Sequence, residues 1–340
     1  MKRTFLLCFI LLGWLHSAFG QATFNIDGFS EQYYGKVYFS DTTQTASAGW
    51  VEVYDRATNK KLIHVDANEL SFDLYDNPQK AYITKIPYEE QSAILYKDFN
   101  FDGVKDFAII DGFRNWTLGH SFKIFLASSK RFVFSDSFTE LTQDNQGMFT
   151  VNAINKTIST KSKIGDTWYQ YSDYIVENNK PKLIRRHTDD YEHAPFYRET
   201  IEELKGNKMV KTTRSSLALE RYHIEECFKF HVDKVNKDII LCNFYDDRLY
   251  YVILDAKQNV EFYYPFEELR QTSDFIFYRK NGKLTFKNKD ASYTIYDKSG
   301  KIGVDITYKG KTHQWKGNAK SRRGSIGKLL KISLDNVVYQ

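Results

Sequence analysis

Short runs that alternate apolar and polar residues, each closed by turn residues, recur along most of this 340-residue chain. Gly35 to Phe39, Trp50 to Tyr54 and Leu62 to Val65 form an early series, with Asp55-Arg56-Ala57-Thr58-Asn59 as the turn between the last two. Phe122 to Phe125 and Phe132 to Phe134 flank Ser128-Ser129-Lys130, and Tyr169 to Val176 and Lys182 to Arg186 flank Asn178-Asn179-Lys180-Pro181. Later come Tyr250 to Leu254 with Val260 to Tyr264, and Tyr293 to Tyr296 with Gly303 to Tyr308. A period of two places every second side chain on one face, which is the mark of half-buried strands. Aromatic residues make up 16% of the chain, mostly Tyr and Phe, and these favour strands too. No run sustains the period of a helix, although Lys328-Leu329-Leu330 reads as the start of a short helical turn. The expectation is an all-β protein of two β-rich domains, the first propeller-like or sandwich-like.

The length suits two domains, each with its own core. The charged stretch from Asp189 to Lys211 marks the join, and the domains are expected at 21–205 and 206–340. Within it, Ile201-Glu202-Glu203-Leu204 reads either as the start of a short helix or as one side of a polar hairpin around Gly206-Asn207.

Residues 1–20 read as a secretory signal. Lys2 and Arg3 precede an apolar run from Phe5 to Leu15, and Ala18-Phe19-Gly20 fits a small-x-small cleavage site. That run is too short to span a bilayer, and no later segment reaches the ~20 residues required. The mature chain is therefore expected to be periplasmic or secreted, with no transmembrane segment. Its formal charge falls from +5 to about +3 without the leader, too little to define a partner. In an oxidising compartment Cys227 and Cys242 would pair and close a loop of about 16 residues; the alternative is two buried thiols on neighbouring strands.

The segment Asp98 to Asp106 reads D-F-N-F-D-G-V-K-D. Asp98, Asn100, Asp102 and Asp106 offer side-chain oxygens, Val104 a backbone carbonyl, and Gly103 sits at the sharp turn. A hard cation such as calcium takes about six to eight oxygens at roughly 2.3–2.6 Å, which alternate residues of a tight loop supply. A helix–loop–helix site would carry Glu at position twelve, where this chain has Ile109, and the flanks read as strands. The loop therefore reads as a strand–loop–strand calcium clip. Asp106, or a carboxylate from elsewhere with Asp111 nearest in sequence, would complete the shell.

With that loop as anchor, residues of roughly 34 to 186 resemble a known bacterial family. A-I-L-Y-K-D-F-N-F-D-G-V-K-D-F-A-I-I-D-G followed by F-K-I-F-L-A-S-S-K-R-F-V-F-S-D-S-F-T-E-L resembles its core, and N-K-T-I-S-T-K-S and Y-I-V-E-N-N-K-P-K-L-I resemble its following strands. The family comprises exported β-propeller-like proteins with one calcium loop, described as periplasmic inhibitors of lysozyme-like toxins delivered by type IV secretion. The resemblance implies calcium on Asp98, Asn100, Asp102, Val104 and Asp106. It also implies a loop that enters the sugar-binding groove of a muramidase, here Lys161 to Trp168 leading into Tyr169 and Tyr171.

Other clusters read less sharply. His187, Asp189, Asp190 and His193 have neither the spacing of a helical zinc pair nor that of one strand face, so they read as a solvated polar linker. Lys309 to Lys331 carries eight Lys and Arg and no acid, with Arg322 and Arg323 adjacent; it reads as a solvated, solubilising face, with a cell-wall polymer, lipopolysaccharide or an acidic protein surface as the anionic partner it would otherwise bind. Nucleic acid does not fit an exported chain. There is no nucleophile elbow, no H-E-x-x-H and no phosphate-binding glycine loop. The expected mode of action is therefore binding, to a protein such as a peptidoglycan hydrolase or to a wall polymer; the remaining alternative is a secreted hydrolase, whose paired carboxylates sequence alone does not place.

Overall fold

The computed structural model describes residues 20–71, 85–87, 93–129, 131–192, 195–218, 227–243, 247–266, 274–331 and 333–340. The expected leader lies outside them except for Gly20, as do His193 and Lys130. The described chain is almost entirely β and falls into two units. Unit 1 runs to His187 and takes in Glu202–Val210; unit 2 holds Thr188–Ile201 and Lys211–Gln340.

Unit 1 opens with β1 (Ala22–Asp27), β2 (Tyr33–Phe39), β3 (Ala46–Asp55), β4 (Lys61–Ser71) and β5 (Lys85–Pro87), in the order β4-β3-β2-β1-β5. The first four form an antiparallel meander, and β5 joins β1 in parallel. The next sheet, β6 (Ile94–Lys97), β7 (Asp106–Asn115), β8 (Gly119–Ser128) and β9 (Arg131–Phe134), is antiparallel in chain order. The alternation seen in the sequence decides which face is buried. Gly35, Val37 and Phe39 of β2 point inward, while Tyr34, Lys36 and Tyr38 lie on the other face. Val37, Val51, Val53 and Val65 share one core with Ile94, Phe107, Ile109 and Ile124 of the second sheet. Helix α1 (Asp136–Gln143) adds Phe138 and Leu141 to that core, and Thr139 and Thr142 bond the β8 backbone at Ile124 and Phe122. This helix was not expected.

The third sheet takes β10 (Thr150–Asn152), β11 (Thr157–Ile164), β12 (Trp168–Glu177), β13 (Lys180–Asp190), β14 (Phe196–Lys205) and β15 (Lys208–Leu217) in chain order. Of the two readings of Ile201 to Leu204 the hairpin holds, since β14 and β15 flank Gly206-Asn207. His187, Asp189 and Asp190 are strand residues of β13, which corrects the linker reading. Charged side chains pair along these strands: Arg185 with Asp173 (3.7 Å), Arg198 with Asp190 (3.9 Å) and Arg214 with Glu199. The division between the units falls within β13, β14 and β15, and not at the 205/206 turn.

Unit 2 has a meander of β16 (Cys227–Val232), β17 (Lys237–Asn243), β18 (Leu249–Leu254) and β19 (Val260–Tyr264). A second sheet follows with β20 (Phe275–Tyr278), β21 (Lys283–Asn288), β22 (Ala291–Lys298), β23 (Lys301–Tyr308), β24 (Lys311–Lys316) and β25 (Val337–Tyr339). Its order is β24-β23-β22-β21-β20-β25, and β25 joins β20 in parallel, as β5 joins β1 in unit 1. A short helix α2 (Ile326–Leu329) overlaps the expected helical turn at Lys328 and Leu329 and starts two residues before it. Phe228, Phe230, Leu241 and Tyr251 share a core with Phe275, Phe286 and Val304. Cys227 and Cys242 face each other across β16 and β17 and form a disulfide, with Cα atoms 4.5 Å apart. That spacing is the one of a non-hydrogen-bonded cross-strand pair.

Asp238 of β17 gives unit 2 a pH dependence. Burial pushes its carboxyl up, but hydrogen bonds from Gln258 (3.0 Å), His231 (2.8 Å) and Lys229 (3.1 Å) outweigh burial and hold it below the usual range. Asp233 is the other acid near that histidine, 3.8 Å away. A lowered carboxylate stabilises the fold above its unfolded value of about 4, and the benefit is lost as pH falls through the lower folded value. The urea midpoint of the wild type should therefore fall more steeply below about pH 4 than that of Asp238→Asn. Parallel pH profiles would remove Asp238 from the account.

Candidate metal loop and hairpin tips

The loop between β6 and β7 is built around Asp106, the first residue of β7 and 0% exposed. Its two oxygens accept from Phe99 N–H and Ala127 N–H, each at 2.8 Å, which ties the start of the loop and the end of β8 to one carboxylate. Burial is the main cause that pushes this carboxyl up to about 6. The two N–H bonds oppose the rise, and the nearby charges of Asp102 and Asp98 add to it. Asp98 accepts from Asp102 N–H (3.2 Å) and Gly103 N–H (2.9 Å), and Asp102 accepts from Val104 N–H (2.8 Å). Gly103 has φ +90°, a backbone state that a side chain would strain, although the space beside it is open.

The donor set fits a hard divalent cation. Three carboxylates and one carboxamide fall within nine residues, and among the described residues no lysine or arginine pairs with any of the three acids. Each carboxylate keeps lone pairs beyond those its backbone bonds use. Calcium held there would neutralise the charge that these acids impose on one another. Val104 is 54% exposed, so its side chain makes no demand on the loop. Asp111 does not belong to the site; it sits along β7 and accepts from Ser121 and from Gln143 (3.2 Å).

Sequence reasoning passed over Asn179. The β12–β13 turn runs through Asn178 and Asn179, with φ +52° and +57°, the left-handed pair of a type I′ hairpin. Asn179 Oδ1 accepts from Asn100 Nδ2 at 3.1 Å, across 79 residues of sequence.

The hairpin from Lys161 to Trp168 lies at the other end of β11 and β12, where Ile164 pairs with Trp168 across the turn. Ile164 is 67% exposed, Trp168 is half-buried, and Tyr169 donates its hydroxyl to the Asp166 carbonyl at 3.3 Å. Lys161 lies 5.8 Å from both the Tyr169 and Tyr171 ring centres.

The β7–β8 tip beside it carries Trp116, 94% exposed and the second residue that sequence reasoning missed. Asn115 Oδ1 caps Thr117 N–H (2.9 Å) and Leu118 N–H (2.8 Å), which fixes that turn. The segment Asn145–Gly147 then ties both tips together. Gln146 donates from Nε2 to Thr117 O (2.8 Å) and from its backbone to Lys161 O (2.7 Å). Gly147 donates to Leu118 O (2.8 Å), and Ser162 to Asn145 Oδ1 (2.7 Å). The exposed indole therefore stands on a turn held by several hydrogen bonds. The hairpin strands carry Arg114, Lys161 and Lys163, and the second turn carries Asp166.

The basic C-terminal residues divide. Arg322 is committed inside unit 2, bonding Asp297 at 2.8 Å and the Gly324 carbonyl at 3.1 Å. Asp297 is nearly inaccessible and also accepts from Ile326 N–H, so it links this arginine to the start of α2. Arg323 bonds the Lys229 backbone in both directions and keeps an exposed position.

No family model matches the sequence, and no curated protein matches it. Among solved structures, a Xanthomonas type IV secretion system related protein is 21% identical with a TM-score of 0.42, over 55% of this chain and 92% of that one. One of two prolyl endopeptidases is 7% identical with a TM-score of 0.22, over 88% of this chain and 42% of that one. A putative 6-phosphogluconolactonase from Bacteroides uniformis is 8% identical with a TM-score of 0.21, over 86% and 83%. Among the described residues no helix is long and apolar enough to cross a membrane. Likenesses of this depth assign no activity, and the chemistry of this chain's own residues has to carry the function.

Proposed function

We propose that this protein is exported, that the loop Asp98–Asp106 holds a structural calcium ion, and that it acts by binding through the two pinned hairpin tips. The leading partner is a lysozyme-like peptidoglycan hydrolase, which the protein would inhibit. One observation carries the binding surface: Trp116 and Ile164 stand 94% and 67% exposed on neighbouring tips held by Asn145–Gly147. Large apolar side chains on ordered backbone are the makings of a binding hot spot, because little conformational freedom is left to lose. The resemblance described above supports the choice of partner, since the second tip is its Lys161–Trp168 loop.

The test is titration of a panel of muramidases with purified protein. Near-stoichiometric inhibition is expected, with Trp116→Ala weakening it about 30-fold, the effect of one hot-spot residue. No inhibition of any enzyme in the panel would defeat the partner assignment. Inhibition that Trp116→Ala leaves unchanged would defeat the surface.

A second reading, attachment to a wall polymer, rests on charge. Between residues 279 and 331 there are fifteen Lys and Arg and only three Asp. A segment with such an excess of positive charge attracts polyanions in a salt-dependent way. Sedimentation with purified peptidoglycan and release by salt would favour it; a protein that stays in the supernatant at low salt would end it.

A further inference from the structure

A side-chain hydrogen bond joins the calcium loop to the β12–β13 turn. Asn100 is largely buried, and its Nδ2 donates both to Asp102 (2.9 Å) and to Asn179 Oδ1 (3.1 Å). Its Oδ1 is thereby left inside the loop, where it accepts from Asp102 N–H at 3.2 Å. If the amide turned over, two carbonyl oxygens would face each other where Asn179 now accepts. Asn179, together with the Asp102 carboxylate, thus sets which end of Asn100 the loop sees.

The turn's composition points the same way. A type I′ hairpin is best served by Asn-Gly, since glycine has no side chain to resist φ > 0. This chain has Asn at both central positions, and only the second reaches the loop. The asparagine at 179 gives up the better turn residue and gains an acceptor aimed at the metal loop.

We propose that Asn179 is a positioning residue of the cation site, so that the ion fastens the β12–β13 hairpin to the β6–β7 loop. This rests on the calcium reading above. Partners that orient a ligand without touching the ion commonly change metal affinity 10–100-fold. By linkage, whatever Asn179 contributes to calcium binding, calcium contributes equally to holding the turn in place.

The experiment is calorimetric titration of chelator-treated full-length protein with calcium, for wild type, Asn179→Gly, Asn178→Gly and Asn179→Asp. Asn179→Gly should bind calcium at least about tenfold more weakly, while Asn178→Gly stays within about twofold of wild type. Asn179→Asp keeps the acceptor for Asn100 and should keep the affinity. The melting temperature of calcium-free Asn179→Gly should equal or exceed that of wild type, because glycine suits the turn. A loss of affinity with that temperature held cannot come from a damaged fold. Equal affinity in wild type and Asn179→Gly overturns this inference alone. Absence of calcium binding by the wild type overturns the calcium reading and this inference with it.

Discussion

Asn336→Ala is expected to lower the stability of unit 2 by about 3 kcal/mol, a large share of what a domain of this size has. The side chain is 0% exposed. Its Oδ1 accepts from Leu249 N–H (2.8 Å), and its Nδ2 donates to Leu249 O (3.0 Å) and to Asp274 (3.2 Å). It therefore stands in for a strand neighbour at the start of β18, joining residues 87 apart in sequence. Asp274 in turn bonds Arg248 at 2.9 Å, with both side chains buried. Alanine would leave a buried N–H and a buried C=O without partners and weaken the support of a buried ion pair. Urea unfolding followed through unit 2 should show a lower midpoint with an unchanged slope. A loss of less than about 1 kcal/mol would mean that water or a shift in backbone replaces the side chain.

Asp106→Ala should be of similar size and should act twice. In the presence of chelator the loss is about 2–4 kcal/mol, because Phe99 N–H and Ala127 N–H lose their common acceptor at a buried site. In the presence of calcium the rise in melting temperature expected of the wild type should disappear, since a ligand stabilises only the state that binds it. Asp102→Ala offers the contrast, because Asp102 lies exposed at the loop's rim and bonds only residues of the loop. It should remove the calcium response with little change in the chelated protein. If both variants kept a wild-type calcium response, the loop would be no metal site at all.

Much of the fold was legible because burial follows alternation. Gly35, Val37 and Phe39 declare the inner face of β2, and Phe122, Ile124 and Leu126 that of β8. Turns with residues that tolerate φ > 0, such as Asn59, Asn178 and Asn179, marked where strands reverse. Helix α1 was hidden because it is eight residues long and buries only Phe138 and Leu141 as apolar anchors, too few to establish a period. Strands β13 to β15 carry charge on both faces, so their pairing shows in ion pairs across strands and not in hydropathy. The closing strands β5 and β25 span three residues each, and their partners lie far away in sequence.

The candidate site divided in the same way. Asp98 to Asp106 could be read because every donor falls within nine residues. Asn179 could not, because nothing local says that a turn residue touches a loop 79 positions earlier. Trp116 was missed for another reason. In an aromatic-rich β chain a tryptophan beside a strand reads as core, and only the capped turn at Asn115 shows the ring facing outward.

Strand β24 ends the second sheet of unit 2 and so presents backbone donors and acceptors that a neighbouring molecule could pair with. Lys311 and Lys316 sit at its two ends with His313 between them, all exposed. Two such edges brought side by side would repel each other before their hydrogen bonds could form. These lysines therefore act as a guard against sheet-to-sheet polymerisation, and a polyanion that neutralised them would attach to this face and lift the guard in the same event.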